Sequence, residues 1–153
     1  MGTLIAGYER AAQRFYDVIN DLGPTETFIP LFEALGWAYS IDERLQQGWK
    51  SQANADEFWY DGFKHGDVAK GFRFARNRVH HQWANALHTT SGAIIPREIP
   101  FRLMEWRWNS ELPPGRNDRF KEEYEDRLAD HPVRVTLGEL QECFLDAANE
   151  GLR

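Results

Sequence analysis

Apolar side chains recur every three or four positions through most of the chain, the spacing that lines one face of a helix. Leu4, Tyr8, Ala11, Phe15, Val18 and Leu22 form one such stripe, with Ile5, Ala12 and Ile19 beside it. They predict a helix over 4–22 that Gly23-Pro24 ends. Leu31, Ala34, Leu35, Ala38, Ile41 and Leu45 predict a second helix over 27–47. Thr27 is its expected N-cap, and Pro30 falls in its first turn, where a missing N–H has no partner to lose. Asp42, Glu43 and Arg44 read as its solvated face. A linker over 48–54 leads to Asn54-Ala55-Asp56-Glu57, a capping-box pattern. The helix that follows carries Phe58, Trp59, Tyr60 and Phe63, expected in the core, with base stacking as the lesser alternative. Gly62 and Gly66 weaken it.

The same period continues through Val68, Phe72, Ala75, Val79, Trp83 and Ala86. It predicts a central helix over 71–88, GFRFARNRVHHQWANALH, with Asp67 as its cap. Arg73, Arg76 and His80 lie at the edge of the apolar stripe. Phe74, His81 and His88 fall opposite it, with Asn77 and Lys70 close to that second face. A helix occupied on both sides lies against two surfaces. In a short chain, the second is expected to be another copy of itself.

Beyond His88 the pattern changes. Residues 89–92 read as a breaker. Ile99, Phe101 and Leu103 alternate, and Trp106 and Trp108 alternate one residue out of register, so one or two short strands or an extended arm are expected around 94–108. Leu112-Pro113-Pro114-Gly115 is a loop. A charged helix over 117–129 stops before Pro132. Thr136-Leu137-Gly138-Glu139 reads as a capping box for a last amphipathic helix bearing Leu137, Leu140, Phe144, Ala147 and Ala148. The expected fold is mainly α: a helical bundle with a short extended segment and C-terminal helices. It forms one domain over 1–153, divided into a bundle core (1–92) and an arm with two helices (93–153).

Composition narrows the function. With 153 residues, 42% of them hydrophobic, the chain can bury a sizeable core. A net charge of −6 argues against general polyanion binding, so any nucleic-acid contact is local or created by assembly. The single cysteine, Cys143, excludes an internal disulfide and a cysteine-rich zinc site. No signal peptide or membrane-length apolar run is present, so a cytoplasmic protein without membrane contact is expected. Against this acidic background, Lys64, Lys70, Arg73, Arg76 and Arg78 cluster with only Asp67 among them. Four of the five histidines lie between His65 and His88. Such side chains move protons and hold anions.

Arg76-Asn77-Arg78-Val79-His80-His81-Gln82-Trp83 resembles the signature of the HEPN superfamily, an Arg followed four to six residues later by His, with Asn often directly after the Arg. Arg76, Asn77 and His81 match. Trp83 stands where HEPN toxins carry Tyr, so control by modification of that Tyr is not expected here. The resemblance implies an all-helical HEPN-like bundle and a metal-independent endoribonuclease that needs no cofactor. It also implies a homodimer whose two motifs share one cleft, and RNA as substrate. A role as toxin or anti-phage defence effector, with an antitoxin or other regulatory protein as partner, belongs to the same implication.

The residue types suit that chemistry. The 2′-hydroxyl of RNA can attack the adjacent phosphate once its proton is removed and the leaving oxygen is protonated. His81 titrates in the range for that work. Arg76 offers a permanently charged fork to the phosphate, and Asn77 can orient either. Arg73, His80 and Lys70 are the expected substrate contacts, His80 also being a rival for His81. No metal ligand set is expected, because no His-x3-His or Glu-x-x-His pair occurs in the helix. A DNA-binding helix-turn-helix over 54–77 conflicts with the overall charge and the helix length. The main alternative is a non-catalytic helical scaffold or interaction protein.

Overall fold

The two N-terminal stripes pair with each other. In the computed structural model, α1 (Gly2–Val18) runs antiparallel to α2 (Pro24–Ser51). Gly7 lies opposite Trp37, and Arg14 meets Glu33. A Cβ on Gly7 would come within 2.7 Å of the Trp37 indole. The bare glycine lets the ring lie on α1. Residues 1–18, 24–52, 57–79, 82–91, 102–115 and 117–151 are described.

The apolar faces fall where the pattern puts them. Tyr8, Ala11 and Phe15 on α1 are buried, as are Leu31, Ala34, Leu35, Ala38, Ile41 and Leu45 on α2. The limits of α2 differ from expectation. It starts at Pro24, where proline's missing N–H is harmless. Thr27 is buried inside the helix rather than capping it, and Pro30 lies beyond the first turn, giving no N–H to the Glu26 carbonyl. The helix also runs on into the expected linker, as far as Ser51.

Asn54, Ala55 and Asp56 of the expected capping box lie outside the described residues. Residues 57–65 are turns rather than helix, with Gly62 at φ 93° and His65 at φ 57°. Trp59 and Tyr60 are nonetheless fully in the core.

Helix α3 spans Gly66–Val79. It is shorter than predicted: Trp83–Ala86 form a 3₁₀ turn, and Leu87–Ser91 form strand β1. His88 is therefore a strand residue, and 89–91 are not a breaker. The stripe itself is buried throughout, from Val68 to Ala86. Strand β1 pairs antiparallel with β2 (Arg102–Trp106), Leu87 opposite Trp106 and Ser91 opposite Arg102. Strand β2 meets the expectation of an extended segment; residues 92–101 lie outside the described ones.

Two helices close the chain, α4 (Lys121–Arg127) and α5 (Val133–Asn149). Helix α5 packs antiparallel along α1, with the Tyr8 hydroxyl donating to the Leu137 carbonyl at 2.6 Å. Thr136 is buried within α5 rather than capping it. Its hydroxyl accepts from the Trp106 indole N–H at 2.8 Å and donates to the Val133 carbonyl, which ties the hairpin to the bundle. The result is a mainly α fold with one small hairpin.

Helix α4 turns its charged residues toward solvent and buries Tyr124. It covers the second face of α3, the face expected to meet another copy of the chain. Phe74 is buried, its ring 5.2 Å from that of Tyr124. Gly71 makes the approach close, since a Cβ there would sit 2.8 Å from Leu128 and 3.1 Å from the Tyr124 backbone. Among the described residues, no helix is long and apolar enough to cross a membrane.

Candidate functional site

Helix α3 presents Arg73 and Arg76 to α2, one turn apart on the same edge. Facing them are Asp42 and Glu43. Asp42 is not part of a solvated face: it is 1% exposed. One carboxylate oxygen accepts from the Trp59 indole N–H at 2.9 Å and the Tyr60 hydroxyl at 2.8 Å. The other accepts from Arg73 Nε at 2.8 Å and lies 2.7 Å from Arg73 Nη2. Both oxygens of this buried charge meet donors, which is what its burial requires.

Glu43 continues the network outward. Its Oε1 accepts from Arg73 Nη2 at 3.0 Å and from Arg76 Nη1 at 2.9 Å. Arg76 also donates from Nη2 to the Asn77 side-chain oxygen at 3.0 Å, and its guanidinium lies 4.5 Å from the Tyr39 ring centroid. The gradient is steep. Arg73 keeps 11% of its side chain exposed, Arg76 keeps 18%, and Asn77 is exposed. Arg73 is thus an anchor within the fold, and Arg76 with Asn77 forms the rim.

Electrostatics follow the geometry. Burial tends to strip Arg73 of its proton, but Asp42, Tyr60 and Glu43 outweigh it and hold its pKa above the usual value. Burial first, then the Asp42 charge, push the Tyr60 phenol well up, so it remains a donor. Two arginines face two carboxylates, and the cationic patch legible in the α3 sequence is internally balanced.

The other expected contacts disperse. Lys70 is paired with Asp61 at 2.6 Å, with Glu123 at 3.9 Å, away from the Arg76 rim. Arg78 is buried over the Phe74 ring and paired with Asp118. His65 faces Glu142 at 3.4 Å and Glu139 at 3.8 Å on α5, while His88 faces Glu105 across the hairpin at 3.5 Å. Both His80 and His81 lie outside the described residues. The flanking backbone is fixed, with Gln82 N–H donating to the Val79 carbonyl at 2.8 Å. Among the described residues, no group of three or more His, Cys, Asp or Glu is placed to hold a metal ion.

Asp42, Glu43 and Tyr39 are absent from the sequence-derived site, although a signal for Asp42 exists. Leu31, Leu35, Ala38, Asp42 and Leu45 follow one alternating four-three spacing, so the aspartate continues a buried stripe. Two hollows, of about 490 and 470 Å³, lie between α1 and α5 and beside Trp49 and Phe63. Neither is lined by Arg73, Arg76 or Asn77. Comparison with protein families, characterised proteins and solved structures gives no match to this chain.

Proposed function

We propose that the chain is a metal-independent endoribonuclease of HEPN type, acting where the motifs of two copies meet. The observation that carries the reading is the Arg76–Asn77 unit. Glu43 and Tyr39 hold the guanidinium in one orientation, and its second nitrogen is bonded to an exposed amide. A prepositioned guanidinium loses little freedom on meeting a phosphate, and its remaining N–H groups match the non-bridging oxygens.

In this mechanism His81 takes the proton of the 2′-hydroxyl as that oxygen attacks the adjacent phosphorus. Arg76 stabilises the charge gathering on the non-bridging oxygens. The bond to the 5′-oxygen breaks, and His81 of the second copy protonates that oxygen. The nucleophile belongs to the RNA, so the residues named complete the reaction. A setting as toxin or anti-phage effector, under an antitoxin or other regulator, is part of the same proposal. His80 and Lys70 contribute to RNA binding at the cleft margin, while Arg73 acts through its grip on Glu43.

A second reading rests on its own observation. Both arginines already have carboxylate partners, and the Asp42 network links α2, α3 and the 57–65 turns. That is how a non-catalytic scaffold would use them. Kinetics separate the two. Arg76→Ala and His81→Ala should each lower cleavage of single-stranded RNA by on the order of 10²-fold, with both proteins still folded. Arg76→Lys should not restore the rate, because an ammonium lacks the forked donors. Cleavage that survives both alanine substitutions assigns the arginines to the scaffold.

A further inference from the structure

Arg119 stands beside the site on different terms from Arg73 and Arg76. It is exposed, and among the described residues no carboxylate pairs with it. Its guanidinium lies instead on aromatic rings, 4.1 Å from the Phe58 centroid and 5.1 Å from Phe120. Phe58 also receives Arg73, at 5.1 Å. One ring therefore joins Arg119 to the network that ends at Arg76.

The aromatic support is built rather than incidental. Phe58 and Tyr60 are parallel within 6°, and Phe120 stands edge-on to both at 87° and 89°. Phe120 achieves this from a left-handed backbone, φ 66°, that a side chain of its size rarely adopts. Tyr60 is in turn locked to Asp42. The platform is thus continuous with the buried anchor of the site.

A guanidinium lying on an aromatic ring keeps its opposite face and its N–H edge open. The face stacks on a planar base, and the edge meets a phosphate. We infer that Arg119, supported by Phe58 and Phe120, is a nucleotide subsite for single-stranded RNA flanking the Arg76 rim. This rests on the ribonuclease reading for its substrate. Stacking requires an unpaired base, so the subsite discriminates against duplex, whose bases already stack on one another.

Fluorescence anisotropy in EDTA tests it, with a labelled ten-nucleotide RNA, single-stranded and as duplex, against the full chain. Arg119→Ala should weaken single-strand binding at least fivefold, the scale of one lost base stack. Arg119→Lys should restore less than half of that loss, since it returns charge without a flat face. Arg10→Ala, which removes an exposed charge on α1, should change affinity less than twofold. The subsite is overturned if Arg119→Ala binds within twofold of wild type, if Arg119→Lys binds as wild type does, or if duplex binds as tightly as single strand. The two claims fail separately. Loss of cleavage in His81→Ala with unchanged binding in Arg119→Ala removes the subsite alone. Arg119-dependent binding by a protein that cleaves nothing removes the ribonuclease reading and leaves the subsite standing.

Discussion

Replacing Asp42 by alanine strips three partners at once. The Trp59 indole N–H, the Tyr60 hydroxyl and Arg73 would all lose their acceptor. Asp42 is 1% exposed and the Arg73 side chain 11%, so water cannot easily replace the carboxylate. Breaking a buried ion pair from one side costs about 3–5 kcal/mol, because the remaining charge stays buried and unpaired. The two orphaned neutral donors fall within the same cavity, so their penalties overlap with that figure rather than add to it. Asp42→Asn keeps an oxygen for Trp59 and Tyr60 but presents no charge to Arg73, and should cost about 2–3 kcal/mol. Glu43→Gln is the internal control. Glu43 is 37% exposed and should contribute no more than about 1 kcal/mol. Urea unfolding followed by tryptophan fluorescence reads all three. With a slope of about 2 kcal/mol per molar, Asp42→Ala should lower the midpoint by about 1.5–2.5 M. A midpoint within 0.5 M of wild type, on the order of 1 kcal/mol by the same slope, or an equal loss in Glu43→Gln, would refute the anchor.

Three further outcomes follow from the packing and the proposed cleft. Phe74→Glu should leave the chain unfolded or aggregated by circular dichroism, since it buries a carboxylate against Tyr124; a folded, soluble variant would contradict the burial of that face. Burial pushes the Cys143 thiol up to about 12, so at pH 8 it should stay protonated and unreactive toward a disulfide reagent until denaturant is added. Rapid stoichiometric reaction of the native protein would show that α5 opens readily. Light scattering at micromolar concentration should give roughly twice the 17.8 kDa chain mass, as a shared cleft demands; a strict monomer removes the second histidine from the mechanism.

Burial along the α2 and α3 stripes was legible because it depends only on local period. Leu31 through Leu45 and Val68 through Val79 are buried as spaced. Charge taken position by position misplaces Asp42. Asp42 looks solvated as an aspartate and buried as a member of its stripe, and the donors that favour burial come from residues 59, 60 and 73. Nothing local marks those partners. The end of α3 was hidden for a related reason. Trp83 and Ala86, three residues apart, suit a 3₁₀ turn as well as a helix, and the strand that follows needs a partner at 102–106. The covered face of α3 was beyond periodicity altogether. Phe74 announces a second surface, but its spacing cannot say whether that surface is another copy or α4, fifty residues along the same chain. At the candidate site, the motif residues are read directly from the sequence, while Glu43, Tyr39 and Arg119 enter only through tertiary contacts.

Product analysis bears most directly on the function. Single-stranded RNA is incubated with the purified protein in excess EDTA, and the new ends are identified by mass spectrometry. Internal attack by the 2′-hydroxyl should leave 2′,3′-cyclic phosphate and 5′-hydroxyl ends, with product formation reduced on the order of 10²-fold in His81→Ala. Ends bearing 3′-hydroxyl and 5′-phosphate, or cleavage that appears only on adding magnesium, would contradict the account.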